Sequence, residues 1–142
     1  MTITRDDIES ITTAVWATML DADLDRDPSL GLGQLRPALV GEVPLTGAFQ
    51  GRVSLHMSEG LIRGAASVMF GVPAAGVTQQ QLEDAAAELA NMVGGNIKCL
   101  VDQPTQLGLP EVSGPGAPNP GYMHEVGFVG PQGSVVVTVR GD

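Results

Sequence analysis

Residues 84–98 read Asp84-Ala85-Ala86-Ala87-Glu88-Leu89-Ala90-Asn91-Met92-Val93-Gly94-Gly95-Asn96-Ile97-Lys98 and continue a helical pattern that begins where Thr78 and Gln81 stand at capping-box spacing. At 100° per residue, Leu82, Ala86, Leu89, Ala90, Val93, Ile97 and Leu100 gather on one arc, which predicts the buried face. Asp84, Glu88, Asn91, Gly95 and Lys98 fall opposite, so a carboxylate and a carboxamide stand one turn apart toward solvent. Gly94 and Gly95 each cost a helix about 1 kcal/mol relative to alanine. A missing side chain is useful where another backbone comes close, as when a partner protein lies against this face. The plainer reading is that two glycines only permit helix packing and that Glu88 and Asn91 are ordinary surface polar groups. Spacing alone leaves both open.

Outward from this helix, the pattern gives the remaining elements. Residues 4–20 predict a helix with Thr4 as N-cap, Asp6, Asp7 and Glu9 in its first turns, and Ile8, Ile11, Val15 and Met19 as an apolar stripe beside Trp16. Asp21, Asp23, Asp25 and Asp27 follow at every second position; the glycine and glutamate of a calcium loop are missing, so a solvated acidic loop is expected. Residues 38–57 read as a strand pair, with Val53, Leu55 and Met57 alternating against Arg52, Ser54 and His56. Ser58 caps a predicted helix whose Leu61, Ile62, Ala65, Val68 and Met69 point inward and which Gly71 and Pro73 stop. A short strand is expected over 107–112 and a mobile loop over 113–121. Two further strands, 122–129 and 134–140, flank the turn Gly130-Pro131-Gln132-Gly133. The order predicts an α+β fold, a largely antiparallel sheet packed against amphipathic helices, in a single domain over residues 1–142.

Composition narrows the function. The chain has 142 residues, 43% of them hydrophobic, enough for one self-supporting core. A net charge of −9 opposes nucleic acid and anionic membrane surfaces alike. One cysteine, Cys99, excludes an internal disulfide and a zinc site built on paired cysteines. With no long apolar run and an acidic start, a cytoplasmic protein is expected. His56 and His124 lack ligand spacing and read as strand histidines, Cys99 reads as a packing thiol without a local base, and no metal site is expected.

The stretch from Asp84 to Lys98 resembles the signature helix of the CheX/CheC/FliY family of chemotaxis phosphatases: Asp or Ser, three residues, Glu, two residues, Asn, then small residues. The likeness extends over most of the chain, through Trp16-Ala17-Thr18-Met19-Leu20, the hairpin glycines Gly47 and Gly51, the segment Leu109-Pro110-Glu111-Val112-Ser113-Gly114 and the terminal Gln132-Gly133-Ser134-Val135-Val136-Val137. Some members carry a second Glu-x-x-Asn on the first helix; here Glu9-Ser10-Ile11-Thr12 stands there, so a single centre is expected, as in the CheX-like branch. The resemblance implies a phosphatase acting on the aspartyl phosphate of a response regulator, a CheY-like receiver domain that brings its own Mg²⁺, with no cofactor in this chain. It assigns Asn91 to orienting the attacking water and Glu88 to docking on the partner's lysine, with Asp84, Gly95 and Lys98 as the partner-binding rim. The alternative is a noncatalytic adaptor of the same fold binding a receiver domain or a flagellar-switch-type partner. A homodimer is expected, because the valine-rich 134–139 strand would be a pairing hazard as an open edge and the resembling branch forms dimers.

Overall fold

Helix α1, Arg5–Leu20, begins at a reciprocal cap: Thr4 accepts from the Asp7 N–H and Asp7 accepts from the Thr4 N–H. The computed structural model describes residues 3–101, 103–115 and 121–141, so most of the expected 113–121 loop lies outside the described residues. The buried face of α1 is Ile8, Thr12, Val15, Trp16 and Leu20. It is turned slightly from the predicted stripe: Trp16 is in the core rather than beside it, and Met19 is 38% exposed. The chain leaves α1 through Asp21, which is left-handed (φ 48°) and donates its N–H to Trp16 O. The acidic segment is not only a solvated loop. Leu24 is buried, and Asp25–Arg26 forms strand β1. Arg26 then reaches Glu9 at 3.1 Å and Asp6 at 3.6 Å on α1, offsetting two of the acidic groups around it.

The sheet contains β1 and six further strands: β2 (Leu39–Gly47), β3 (Gly51–Met57), β4 (Thr105–Leu107), β5 (Glu111–Ser113), β6 (Tyr122–Gly130) and β7 (Gly133–Gly141). Every pairing is antiparallel, in the order β1-β6-β7-β3-β2-β4, with β5 also on β2. The strand predicted over 107–112 is instead two three-residue strands on one neighbour. Gly108 N donates to Pro44 O at the break, and Pro110, lacking an N–H, cannot extend the ladder. The terminal strand is not an edge either. β7 lies between β6 and β3, which satisfies it on both sides and removes the hazard argued for residues 134–139. On the outer side of β6, β1 pairs with Phe128 and Val129 and Asp27 N donates to Gly127 O, and no described strand lies beside residues 123–126.

Helices α2 (Glu59–Phe70) and α3 (Gln79–Lys98) pack with α1 on the face of the sheet that carries Val43, Leu45, Val53, Leu55, Val137 and Val139. Ser58 precedes α2 but makes no side-chain cap; its Oγ accepts from Ser134 N at 3.0 Å and ties the helix start to β7. Leu61, Ile62 and Ala65 are buried as predicted, whereas Val68 is 52% exposed. The capping box of α3 forms between Thr78 and Gln81. Its last helical residue is Lys98, and Leu100 follows the helix. The other sheet face is covered by the 27–38 segment, where Leu32 N donates to Glu125 Oε2 and Leu35 is buried. Ser54 and His56, on the outward positions of β3, are therefore buried as well. No described helix is long and apolar enough to cross a membrane.

Candidate functional site

The packing of α3 decides which of its side chains remain available. Leu82, Ala85, Ala86, Leu89, Ala90, Val93, Gly94 and Ile97 are buried, and that leaves Asp84, Glu88, Asn91, Gly95 and Lys98 together on the outward face. Asp84 and Glu88 are exposed; Asn91, Gly95 and Lys98 are half-buried. The side chains of Glu88, Asn91 and Lys98 make no hydrogen bond or ion pair among the described residues. Asp84 accepts from Gln80 Nε2 at 2.8 Å within the same helix, which holds it at the edge of the stripe. Asn96 is turned away from the others, donating to Met92 O at 2.9 Å.

The two glycines separate in role. A Cβ on Gly94 would collide with Val43 Cγ2, so this glycine is required by the contact of α3 with β2. A Cβ on Gly95 would meet only Leu107 Cδ2 at 3.7 Å, an ordinary contact, so nothing inside the fold demands glycine there. Leu107 packs against this flank, and the chain runs on from it through 108–110 with Leu109 85% exposed. That exposure differs from the strand predicted over 107–112; the Gly108-Leu109-Pro110 sequence is the turn signal that marks it. The outward face of α3 offers the carboxylate of Glu88, the carboxamide of Asn91 and the flanking cation Lys98. An amide both accepts and donates without titrating, so it can hold a water in a fixed orientation. Among the described residues no group of three or more His, Cys, Asp or Glu side chains is arranged to hold a metal.

Positions elsewhere do not assemble a comparable pair. On α1, Glu9 is engaged by Arg26 and Thr12 is fully buried with its Oγ1 sealed from solvent. His56 bonds Thr138 Oγ1 at 3.2 Å and stacks edge-on against Tyr122. Burial pushes its pKa down, against the opposing pull of Glu42 and Glu125. His124 lies on the helix side of the sheet, its Nε2 donating to Ile3 O at 2.6 Å. Cys99 is exposed just past α3, not packed.

A family model described as chemotaxis phosphatase CheX matches residues 39–116, which include α3 and the 108–110 connection. The fold is similar to the crystal structure of chemotaxis protein CheX from Vibrio vulnificus (19% identity, TM-score 0.80, covering 97% of this chain and 95% of that one). It is also similar to the CheX in the CheX-CheY-BeF3-Mg²⁺ complex from Borrelia burgdorferi (16% identity, TM-score 0.72, 95% and 96% covered). Thermotoga maritima FliY is more distant, with 15% identity and a TM-score of 0.62 over 99% of this chain and 92% of that one. No curated protein matches the chain.

Proposed function

The chain belongs to the CheX family of chemotaxis phosphatases, and from that premise we propose that it accelerates hydrolysis of the aspartyl phosphate on a CheY-like receiver domain. The observation that carries the reading is the placement of Glu88 and Asn91 one turn apart on the outward face of α3, both side chains without a partner among the described residues. Phosphoryl transfer to water passes through a loose transition state and depends on an in-line nucleophile and charge neutralisation. The receiver brings Mg²⁺ to neutralise the phosphoryl oxygens, so this chain has little left to supply beyond a positioned water. Asn91 accepts a hydrogen bond from that water with its carbonyl oxygen. A carboxylate at the same place would repel the phosphoryl group. Glu88 pairs with a cation of the receiver, its conserved lysine, in a charge-assisted bond that sets the register of Asn91. Asp84 and Lys98 steer the encounter from the rim, and Gly95 leaves room for the receiver backbone. The CheX–CheY complex of Borrelia burgdorferi supports a receiver as the partner.

The surroundings of the site fit one working unit. Residues 1–142 act as one cytoplasmic domain, and two copies pair into a homodimer along the part of β6, residues 123–126, that has no described strand on its outer side. Phosphate release from a panel of phosphorylated receiver domains, with and without the protein, tests the function. Acceleration on at least one receiver is expected. Binding to phosphorylated receivers with no acceleration on any of them would leave the adaptor reading instead.

A further inference from the structure

A cavity of about 340 Å³ opens between the C-terminal end of α1, the middle of α2 and the turn joining β6 to β7, and no residue of α3 lines it. Its volume is at the lower end of the range of about 300–1,000 Å³ that small-molecule sites occupy. We infer that this cavity binds a small uncharged carbonyl compound, a ketone, ester or amide group on a compact apolar body, with the carbonyl oxygen accepting from the indole N–H of Trp16.

The donor sets the first requirement. Trp16 is only 2% exposed and lines the cavity, and its Nε1 makes no hydrogen bond among the described residues. A buried tryptophan ordinarily finds a partner for its N–H, because an unmade bond leaves the desolvation of the donor uncompensated. Among the described residues, the polar side-chain atoms sealed from solvent without a partner are Thr12 Oγ1 and His124 Nδ1, and Nε1 is not with them. The little surface that Trp16 keeps therefore includes its N–H, and the cavity is the space it borders. An indole N–H donates and never accepts, so the group it recognises is an acceptor.

Charge narrows the acceptor. Asp21 and Asp23, both exposed, line the same cavity, and no lysine or arginine lines it. A carboxylate or phosphate ligand would be repelled by both. An ammonium ligand would set a second donor against the N–H. An uncharged carbonyl oxygen meets neither obstacle. The walls then specify the body, since Leu20, Leu24, Leu61, Ala65 and Val68 all line the cavity. Val68 is 52% exposed although the helical pattern places it inward, so this wall is open to a ligand. Water held among such apolar walls has few polar partners; a carbonyl compound that displaces it keeps the bond to Nε1 and buries apolar surface as well. On the β6–β7 turn, Gln132 lies over Gly64, where any Cβ would collide with its amide. That amide makes no hydrogen bond among the described residues and offers a second polar group to an ester or amide.

Trp16 is the sole tryptophan, so the full chain gives a single indole cross-peak in a ¹H–¹⁵N spectrum, and its proton reports the bond directly. Cyclohexanone is the probe. Methylenecyclohexane has the same shape without an acceptor, and cyclohexanecarboxylate carries a charged one. The ketone should move the indole proton downfield along a saturable curve, and NOEs from its ring protons should reach the methyl groups of Leu61 and Val68. The hydrocarbon should cause no downfield shift, and the carboxylate should bind about 10-fold more weakly or worse. The assignment is overturned by the absence of a saturable shift up to about 10 mM ketone, by the same downfield shift with the hydrocarbon, or by a carboxylate that binds as tightly. NOEs confined to residues outside the cavity would overturn it as well.

Discussion

Thr12 and His56 show what a single side chain can and cannot reveal before the fold is known. Both are polar and both are buried. Thr12 stands four residues after Ile8 and three before Val15, so the period of α1 itself turns it inward. His56 alternates with Leu55 and Met57 and reads as outward, yet it is packed against Thr138 and Tyr122, and no local pattern carries that information. Glu88 and Asn91 were legible for the opposite reason, since the periodicity of their own helix already separates outward from inward positions. Burial of His56 has a measurable consequence. Its folded pKa lies below the ordinary histidine value, so the unfolded chain binds more protons and stability falls as the pH drops below about 6.5. It recovers as the pH rises. Chemical denaturation at pH 7.5 and pH 5.5 should show this loss, and His56→Gln should shrink it; an undiminished loss in the variant would assign the dependence to the carboxylates. At the candidate site, Glu88→Ala should weaken both binding and turnover by removing a charge-assisted bond, at a cost of about 1.5–3 kcal/mol. Unchanged affinity for a beryllofluoride-activated receiver would remove Glu88 from the docking role.

Among the elements, those with chemical punctuation were legible and those without it were not. The caps Thr4 and Thr78 and the stops Gly71 and Pro73 mark helix ends because each satisfies or denies a specific backbone group. Strand β1 has two residues and no period to read, and β4 and β5 share a partner that only the tertiary register of β2 reveals. The adjacent glycines of α3 give the sharpest contrast at this scale. Gly94→Ala should destabilise by about 1–3 kcal/mol through overpacking against Val43, despite the better helix propensity of alanine. Gly95→Ala meets no such obstacle and should stabilise the isolated protein by up to about 1 kcal/mol. Thermal melts of both variants separate the two effects. The stabilised Gly95→Ala protein should nevertheless lose receiver dephosphorylation, since its new methyl group occupies the docking face; full activity would confine Gly95 to a neutral surface role.

For the molecule as a whole, strand order was the least legible quantity, because valine-rich strands such as 134–139 read alike at a sheet edge and at its centre. Pairing on both sides places β7 inside, and among the described residues the stretch without a strand neighbour on its outer side is residues 123–126 of β6. If two copies pair there, sedimentation at micromolar concentration should give a mass near twice 14.7 kDa; a strictly monomeric species would exclude the dimer. The outward face of α3 faces the most direct test. Receiver dephosphorylation should be followed with Asn91→Ala while binding to the beryllofluoride-activated receiver is measured in parallel. The side chain has no partner among the described residues, so the variant should fold and bind normally and lose the acceleration by at least about 10²-fold, the scale expected for a lost positioning group. A folded Asn91→Ala protein that dephosphorylates the receiver at the wild-type rate would contradict the assignment of water positioning to this residue.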